Sequence, residues 1–279
     1  KTKSKRLYFI YNAQEVVDIG ININEYRVKE DENVNLSKIS TEYEGKMSKD
    51  EGREKCEELS EKLKDLQELL YAESKQALLV VFQAMDAGGK DSTIRHVIGP
   101  INPAGCRVVS FKAPTSHELA RDFLWRIHEH VPPKGCIGVF NRSHYEDVLI
   151  VKVKKLAPEK MIEKRYTHIN NFERLLHDEG TRIIKFYLHI SKDYQKERFQ
   201  RRLDRPDKHW KFNPDDLKER ERWDDYMDAF EDVFSHCSKN YAPWYIIPAE
   251  TRWFRDLLVA EILIETLKDM KLHYPQPTF

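Results

Sequence analysis

Apolar residues recur at every third or fourth position between residues 52 and 72, the spacing of one face of an α-helix. The residues on this face are Cys56, Leu59, Leu63, Leu66 and Leu70. Directly after this predicted amphipathic helix comes ALLVVFQ, residues 77–83, which is apolar up to its last position. Such a run is typical of a strand that is buried on both faces of a parallel sheet.

Strand and helix patterns alternate through the rest of the chain. The strand candidates are 106–112, 136–140, 181–190 and 244–248, and the helix candidates are 90–99, 117–130, 158–179, 191–204, 214–237 and 251–271. This alternation predicts an α/β fold of three layers, in which helices cover both faces of a central parallel sheet of about five strands.

The first 50 residues differ from the remainder because they are polar and only weakly periodic. We expect residues 1–50 to form an irregular N-terminal extension or a docking arm, and residues 51–279 to form one large domain. The amphipathic helix at 52–72 and the extension are candidates for contacts between subunits.

Composition narrows the classes of partner. The 279 residues contain 47 basic and 47 acidic side chains, so the formal net charge is zero. Global charge therefore favours neither a nucleic-acid partner nor a membrane surface, and any preference for anions must come from local clusters. No apolar stretch approaches the roughly 20 residues of a membrane helix. Four cysteines far apart in the chain and the absence of a signal-peptide pattern favour reduced thiols in the cytoplasm.

The first chemical motif is AMDAGGKDST, residues 84–93, between the apolar strand and a predicted helix. A strand, a glycine-containing turn and a helix that begins with Lys90 are the context of a phosphate-binding P-loop. Backbone N–H groups and the helix N-terminus would face an anion there, and Lys90 would add a positive charge. Ala84 stands where the general motif has its first glycine. A tight turn without a ligand is the alternative interpretation.

Two carboxylates change the chemistry expected of this loop. Asp86 lies inside a loop that should attract anions, so its presence predicts a bound metal ion. Asp91 occupies the position where Ser or Thr normally ligates Mg²⁺, which suggests that carboxylates have taken over metal binding, while Ser92 or Thr93 could still contribute. Asp91 could equally be a helix-terminal charge that the helix dipole favours.

The second motif is CIGVFNRSHYEDVLI, residues 136–150, where an apolar strand is followed by polar side chains. Carboxylates just beyond a strand that neighbours the P-loop strand are typical of a Walker B element. Asn141, Arg142, Glu146 and Asp147 are therefore candidate site residues. A strand that simply ends in a polar turn is the alternative.

The third motif is rich in arginine and lysine between residues 196 and 223. A basic helix that runs into a DRPDK turn predicts a helical lid over phosphates, at about residues 198–220. Arginine suits this role because one guanidinium group can bind two phosphate oxygens at once. Arg198, Arg202 and Lys208 are its candidate ligands, although a solvated charged surface is the alternative. Lys112 and Arg121 are placed as the acceptor-side residues of nucleotide kinases are.

Together these motifs resemble the family-2 polyphosphate kinases. The resemblance extends from about Leu36 to Met270 and includes FQAMDAGGKDSTIRHV, FKAPTSHELARDFLWR, FNRSHYEDVL, KFYLHISKDYQKERFQRR and WKFNPDDLKERERWDDY. It implies a P-loop kinase fold similar to that of thymidylate kinase, a homotetramer or homodimer, and transfer of phosphate between inorganic polyphosphate and AMP, ADP or ATP. It also implies Mg²⁺, with Mn²⁺ as a substitute.

The resemblance also implies roles for individual residues. Catalytic roles fall to Asp86, Lys90, Arg142, Asp147 and Arg198, of which Asp86 and Asp147 would bind the metal. Phosphate binding falls to Ala87, Gly88, Gly89, Lys90, Asp91, Ser92, Arg198, Arg202 and Lys208, and nucleotide binding to Lys112, Arg121, Asn141, Arg142 and Glu146. The pair Glu146 and Asp147, where other members have Tyr-Asn, is similar to the subgroup that accepts AMP as well as ADP.

Two other functions fit the same residues. An ATP-dependent nucleoside or nucleotide kinase would use the same fold, since a fold does not determine the phosphate donor. A protein that binds polyphosphate or a nucleotide without turnover would also need a basic groove.

Overall fold

The computed structural model describes residues 20–277. Its five strands are β1 (Ala77–Gln83), β2 (Cys106–Ser110), β3 (Ile137–Asn141), β4 (Thr181–His189) and β5 (Trp244–Pro248). Its α-helices are α1 (Lys49–Glu73), α2 (Lys90–Thr93), α3 (Ser116–Leu119), α4 (Trp125–His128), α5 (Ile150–Val153), α6 (Glu159–Asp178), α7 (Lys192–Leu203), α8 (Asp215–Glu221), α9 (Trp223–Cys237) and α10 (Arg252–Asp269).

The five strands form one parallel sheet in the order β2-β3-β1-β4-β5. Val80 of β1 lies opposite Val139 of β3 and Ile184 of β4, and all seven residues of β1 are buried. Only β2, at one edge, is largely exposed. The predicted α/β fold with five parallel strands is confirmed. Helices cover both faces of such a sheet, which is why its inner strands are continuous apolar runs.

The strand order positions the site. From β1 the chain crosses to β2 and β3 on one side, and then returns past β1 to β4 and β5 on the other. In open parallel sheets the crevice for ligands forms where the order reverses, outside the carboxyl ends of the strands. That point lies at the end of β1, where the glycine-containing loop begins.

The amphipathic pattern at 52–72 forms the long helix α1, which packs against α10. Ser48 and Glu51 make a capping box at its start, which satisfies two backbone N–H groups that have no partner within the helix. Gly52 leaves room for the ring of Trp253, since a Cβ there would lie 2.1 Å from a ring carbon. With Ser48 as its cap, the helix begins at Lys49, three residues before the predicted start.

Two predicted helices are interrupted. The pattern at 117–130 forms the short helices α3 and α4, because Asp122 Oδ1 accepts the backbone N–H of Leu124 at 3.0 Å and so offers the chain an alternative to helical pairing. The pattern at 214–237 is divided at Arg222 into α8 and α9. The predicted helix at 90–99 begins as α2 and continues as a π-helical turn.

Residues 20–48 lie along the β5 edge of the sheet. Val28 N–H donates to Trp244 O at 2.9 Å, and Ile246 N–H donates to Tyr26 O at 2.8 Å. Leu36 is buried, and the ring of Tyr43 stacks on Phe254 with centroids 4.0 Å apart. This part of the predicted N-terminal extension therefore covers an edge strand, while residues 1–19 lie outside the described range.

All four cysteines are free thiols, and burial raises the pKa of Cys237 to about 12. Within residues 20–277, no helix combines the length and the apolar character needed to cross a membrane.

A fully buried ionic network anchors the turn that follows β3. Lys185 Nζ of β4 donates to Glu173 Oε2 at 2.5 Å and to the Tyr145 hydroxyl at 2.8 Å, and His144 Nε2 lies 3.1 Å from Glu173 Oε1. Burial opposes ionisation of Glu173, yet Lys185 and His144 together hold its pKa below the ordinary value. The network therefore keeps both charges in the core beneath the neighbouring residues Glu146 and Asp147.

We expect Glu173→Leu to lower the free energy of unfolding by about 3–5 kcal/mol, because it leaves the Lys185 ammonium buried without a counter-charge. Chemical denaturation measures this loss. The double variant Glu173→Leu/Lys185→Met removes both charges and should regain part of the stability. A loss below about 1 kcal/mol for the single variant would contradict the role of the ion pair.

Candidate active site

The loop between β1 and α2 turns tightly around small residues. Ala87 and Gly89 have φ values of 63° and 100°, in the left-handed region where glycine is favoured. A Cβ on Gly88 would lie 2.7 Å from the Cβ of Ala84 and 2.9 Å from Met85 O. The side chain at position 84 therefore lies against Gly88 across the loop. This contact leaves room for only a small residue at position 84, and alanine is small enough.

Lys90 folds back over this loop. Its Nζ donates to Ala84 O at 2.9 Å, so the ammonium group lies inside the ring of backbone that would surround an anion. Desolvation of the ammonium, with the positive charge of Arg142 nearby, lowers the pKa of Lys90 to about 8. A phosphate in the loop would replace the carbonyl as its partner.

Asp86 and Arg142, both predicted from sequence, form an ion pair. Arg142 Nη2 lies 2.9 Å from Asp86 Oδ1. Arg142 has φ 64°, and its backbone N–H donates to Phe82 O at 3.0 Å, so the backbone at the end of β3 is fixed against β1. Gln195 of α7 donates to Asp86 O at 2.9 Å and ties the loop to the lid.

Asp91 is linked to two neighbouring segments. Asn141 Nδ2 donates to Asp91 Oδ1 at 2.8 Å, and Lys211 Nζ lies 3.8 Å from Asp91 Oδ2. The first contact joins α2 to the end of β3, and the second joins it to the lid. Ser92 donates its hydroxyl to Gly89 O at 2.8 Å and so closes the first turn of α2.

A cavity of about 620 Å³ opens over this loop, and we call it the basic cavity. Its lining includes twelve lysine and arginine side chains and the two carboxylates Asp86 and Asp91. The cations are Lys90, Arg95, Lys112, Arg142, Arg198, Arg201, Arg202, Arg205, Lys208, Lys211, Arg252 and Arg255. Because each strand is followed by at least one of them, the cations extend across the carboxyl edge of the sheet, about 19 Å for five strands.

The lid supplies half of these cations. It comprises α7, a 3₁₀ turn at Pro206–Lys211 and α8. Arg202 Nη1 donates to Lys211 O at 3.1 Å and lies 3.3 Å from Asp216 Oδ2, so the lid helices are joined by one guanidinium. Burial and the guanidinium of Arg252 lower the pKa of Arg198. This crowding of like charges favours binding of a multivalent anion.

A second cavity of about 230 Å³ shares Asp86 and Arg142 with the first, and we call it the acidic cavity. Its other charged residues are Glu146, Lys154, Asp215, Asp216 and Glu219, and its apolar wall includes Leu149, Ile150, Tyr226 and Phe230. Tyr226 donates its hydroxyl to Glu219 at 2.7 Å. The Asp86–Arg142 pair therefore separates a strongly basic space from a smaller one rich in carboxylates.

The structure does not bring Asp147 or Arg121 to either cavity. Arg165 Nη1 donates to Asp147 O at 2.8 Å and lies 3.5 Å from its Oδ1, and burial raises the pKa of Asp147. Glu146 and Asp147 are consecutive in the 3₁₀ helix His144–Asp147. A 3₁₀ helix has about three residues per turn, so their side chains diverge by roughly 120°. Arg121 stacks on Trp125 at 4.4 Å and donates to His117 O instead.

The basic cavity includes residues that were not among the sequence candidates, among them Arg95, His96, Tyr194, Arg252 and Arg255. The helices that carry them were interpreted from their apolar periodicity, which says nothing about charged positions at a helix start. Their place in the chain could have identified two of them, because Arg252 and Arg255 lie in the first turn after β5, at the carboxyl edge of the sheet.

The carboxylates fit a metal ion only together with a substrate. Among residues 20–277, no three His, Cys, Asp or Glu side chains are grouped so that they could hold an ion. Mg²⁺ is usually bound by one or two carboxylates and completed by phosphate oxygens and water. Asp86, beside the phosphate loop, meets that requirement.

Comparison with known proteins identifies similar chains. The model of the family described as Polyphosphate kinase 2 matches residues 46–275. The AMP/ADP-polyphosphate phosphotransferase of Meiothermus ruber is 52% identical over 259 residues, which cover 91% of this chain and 96% of that protein. The ADP-polyphosphate phosphotransferase of Rhodopseudomonas palustris is 47% identical over 274 residues, 92% of this chain and 94% of that one.

The fold is also similar to a solved structure. The crystal structure of polyphosphate kinase 2 from Arthrobacter aurescens superposes with a TM-score of 0.88 at 41% identity. The match covers 91% of this chain and 92% of that one. The similarity therefore extends over most of the length of both chains.

We expect Gly89→Ala to weaken binding of inorganic tripolyphosphate at least about tenfold, because a Cβ there lies 2.4 Å from Arg255 Nη1 and displaces either the loop or the arginine. Calorimetric titration measures the affinity. Gly180→Ala is the matched control, since φ is 91° there but the nearest atom is 3.6 Å away. Equal losses of affinity in both variants would contradict the contact with Arg255.

We expect affinity for tripolyphosphate, measured without metal, to fall as pH rises through about 8. The lowered pKa of Lys90 means that its ammonium loses its proton in that range, and a neutral amine holds phosphate less well. Lys90→Arg should flatten this part of the profile, because a guanidinium stays protonated. An unchanged profile in Lys90→Arg would assign the titration to another group.

Proposed function

The chain belongs to the polyphosphate kinase 2 family, and from this premise we propose that it transfers the terminal phosphate of inorganic polyphosphate to AMP and to ADP. The observation that carries the proposal is the basic cavity, in which twelve cations surround the phosphate loop of a chain with no net charge. A nucleoside triphosphate needs far fewer cations than this. An extended polyanion needs them along its whole length.

We assign polyphosphate to the basic cavity and the nucleotide acceptor to the acidic cavity. Carboxylates such as Glu146 and Glu219 repel phosphate, but they accept hydrogen bonds from ribose hydroxyls and base amino groups. Tyr226 and Phe230 offer apolar surface to a base. The acceptor's phosphate would then face Arg142, which borders both cavities.

The reaction is an in-line displacement at the terminal phosphorus of polyphosphate. An oxygen of the AMP or ADP phosphate attacks, a new P–O bond forms, and the bond to the bridging oxygen breaks, so that polyphosphate leaves one unit shorter. The attacking phosphate is already anionic, so no general base is required. Catalysis comes from positioning and from charge neutralisation by Lys90, Arg142 and the lid arginines.

Members of this family generally need a divalent metal, and we propose Mg²⁺, or Mn²⁺ in its place. When bound, the ion would neutralise charge on the phosphate oxygens. Asp86 is the carboxylate in position to hold it. Asp147 was predicted to share the ion, but its contact with Arg165 makes it a support for the turn that carries Glu146.

Two further properties stay predictions. The free thiols fit a reducing compartment, which supports a cytoplasmic location. The resemblance to the family supports a homodimer or homotetramer.

An assay of phosphate donors tests the main proposal. With AMP, long-chain polyphosphate and Mg²⁺, we expect ADP and then ATP to form, measured by chromatography. Asp86→Asn should reduce the rate at least about a hundredfold, because it removes the metal-binding carboxylate beside the transferred phosphate. If ATP phosphorylates AMP while polyphosphate does not, the chain is an ATP-dependent nucleotide kinase instead.

We expect Glu146→Asn to lower kcat/KM for AMP relative to ADP by roughly tenfold, the worth of one charge-assisted hydrogen bond. AMP has one phosphate fewer to hold it, so it depends more on hydrogen bonds to its nucleoside. The measurement is the AMP:ADP ratio of kcat/KM with saturating polyphosphate. Glu163→Asn, on the exposed face of α6, is the control. An unchanged ratio would remove Glu146 from acceptor selection.

A further inference from the structure

Arg255 is a buried arginine with no role in the reaction described above. It lies in the first turn of α10, its side chain is only 2% exposed, and it borders the basic cavity. A Cβ on Gly89 would lie 2.4 Å from its Nη1, so the guanidinium is packed directly against the phosphate loop. The absence of a side chain at Gly89 is what allows this approach.

The hydrogen-bonding capacity of Arg255 is not filled. Its Nε donates to Asp256 Oδ1 at 2.9 Å. Its Nη2 lies 2.8 Å from the same oxygen as an ion pair but has no hydrogen-bond partner among the described residues. Asp256 is shared, because its other oxygen contacts His96 Nδ1 at 2.9 Å. A buried guanidinium with an unmatched donor is costly, and a phosphate oxygen is the partner that suits it best.

A second arginine lies three residues earlier, at the first position of the same helix. Arg252 is exposed, borders the same cavity, and donates from Nε to the Tyr194 hydroxyl at 3.4 Å. Its charge contributes to the lowered pKa of Arg198, so the two guanidinium groups are close neighbours. Arg252 and Arg255 therefore extend the basic cavity beyond Lys90 and the lid, towards α10.

We propose that His96, Arg252 and Arg255 form a remote subsite for inorganic polyphosphate, which binds the part of the chain that is not transferred. The inference rests on the proposed function and adds the direction in which the bound polyphosphate extends. The terminal phosphate lies between Lys90 and Arg142, and the remainder of the polyanion extends towards α10. The subsite makes the enzyme sensitive to the length of its donor.

Donors of two lengths test this assignment. With tripolyphosphate and with long-chain polyphosphate as donors and ADP as acceptor, Arg252→Met should raise the KM for the long chain about tenfold. The KM for tripolyphosphate should rise by a much smaller factor, because a donor of three phosphates reaches less of the subsite, and kcat should change by less than about twofold. Arg255→Lys should act in the same direction, because an ammonium cannot pair two phosphate oxygens as a guanidinium does. Arg252 is exposed, so its variant should fold even if Arg255→Lys does not.

The control is Arg107→Met, which removes an exposed arginine from β2 that borders neither cavity. If Arg107→Met raises the KM for the long chain as much as Arg252→Met does, the effect is one of overall charge and the subsite is excluded. If the α10 variants raise the KM of both donors equally, or lower kcat alone, they support the loop and do not bind the remote chain. If the unaltered protein uses neither donor, the proposed function itself fails.

Discussion

Mutual repulsion among twelve cations in one cavity is the constraint that the rest of the site accommodates. The chain has equal numbers of acidic and basic residues, so this concentration of positive charge must be offset locally. Asp86 holds Arg142, Asp216 holds Arg202 and Asp256 holds Arg255, at 2.8–3.3 Å. Each carboxylate accepts from only some of the N–H donors of its arginine, and the other donors can bind a polyanion.

The sheet makes this arrangement possible. Parallel strands end at the same edge, so residues as distant in sequence as Lys112 and Arg252 converge around the end of β1. The strands themselves are buried and closely packed, which holds their ends in place. The lid has a different character, since its helices are joined to one another by Arg202 and it bears six of the twelve cations.

Charge also divides the site into two parts. The ion pair of Asp86 and Arg142 lies where the basic and the acidic cavity meet. Phosphate is favoured on one side of the pair and hydrogen-bond donors on the other. Beneath this boundary, Lys185 and Glu173 anchor the turn after β3 through two residues, Tyr145 and His144, that never reach the solvent. A buried ionic network therefore supports the partly buried Glu146, which borders the acidic cavity.

Periodicity and short motifs were enough to predict the fold class, the loop after β1 and the basic helices that follow β4, because these depend on residues close together in the chain. The structure departs from other expectations where a local contact intervenes. Asp122 interrupts a predicted helix through one local hydrogen bond, and Asp147 points to Arg165 because consecutive side chains of a 3₁₀ turn diverge. The contact of Arg255 with Gly89 depends on packing, since the place of α10 after the last strand indicates the edge of the sheet but not which loop residue the arginine meets. Local patterns specify elements, whereas the contacts between distant elements depend on how those elements pack.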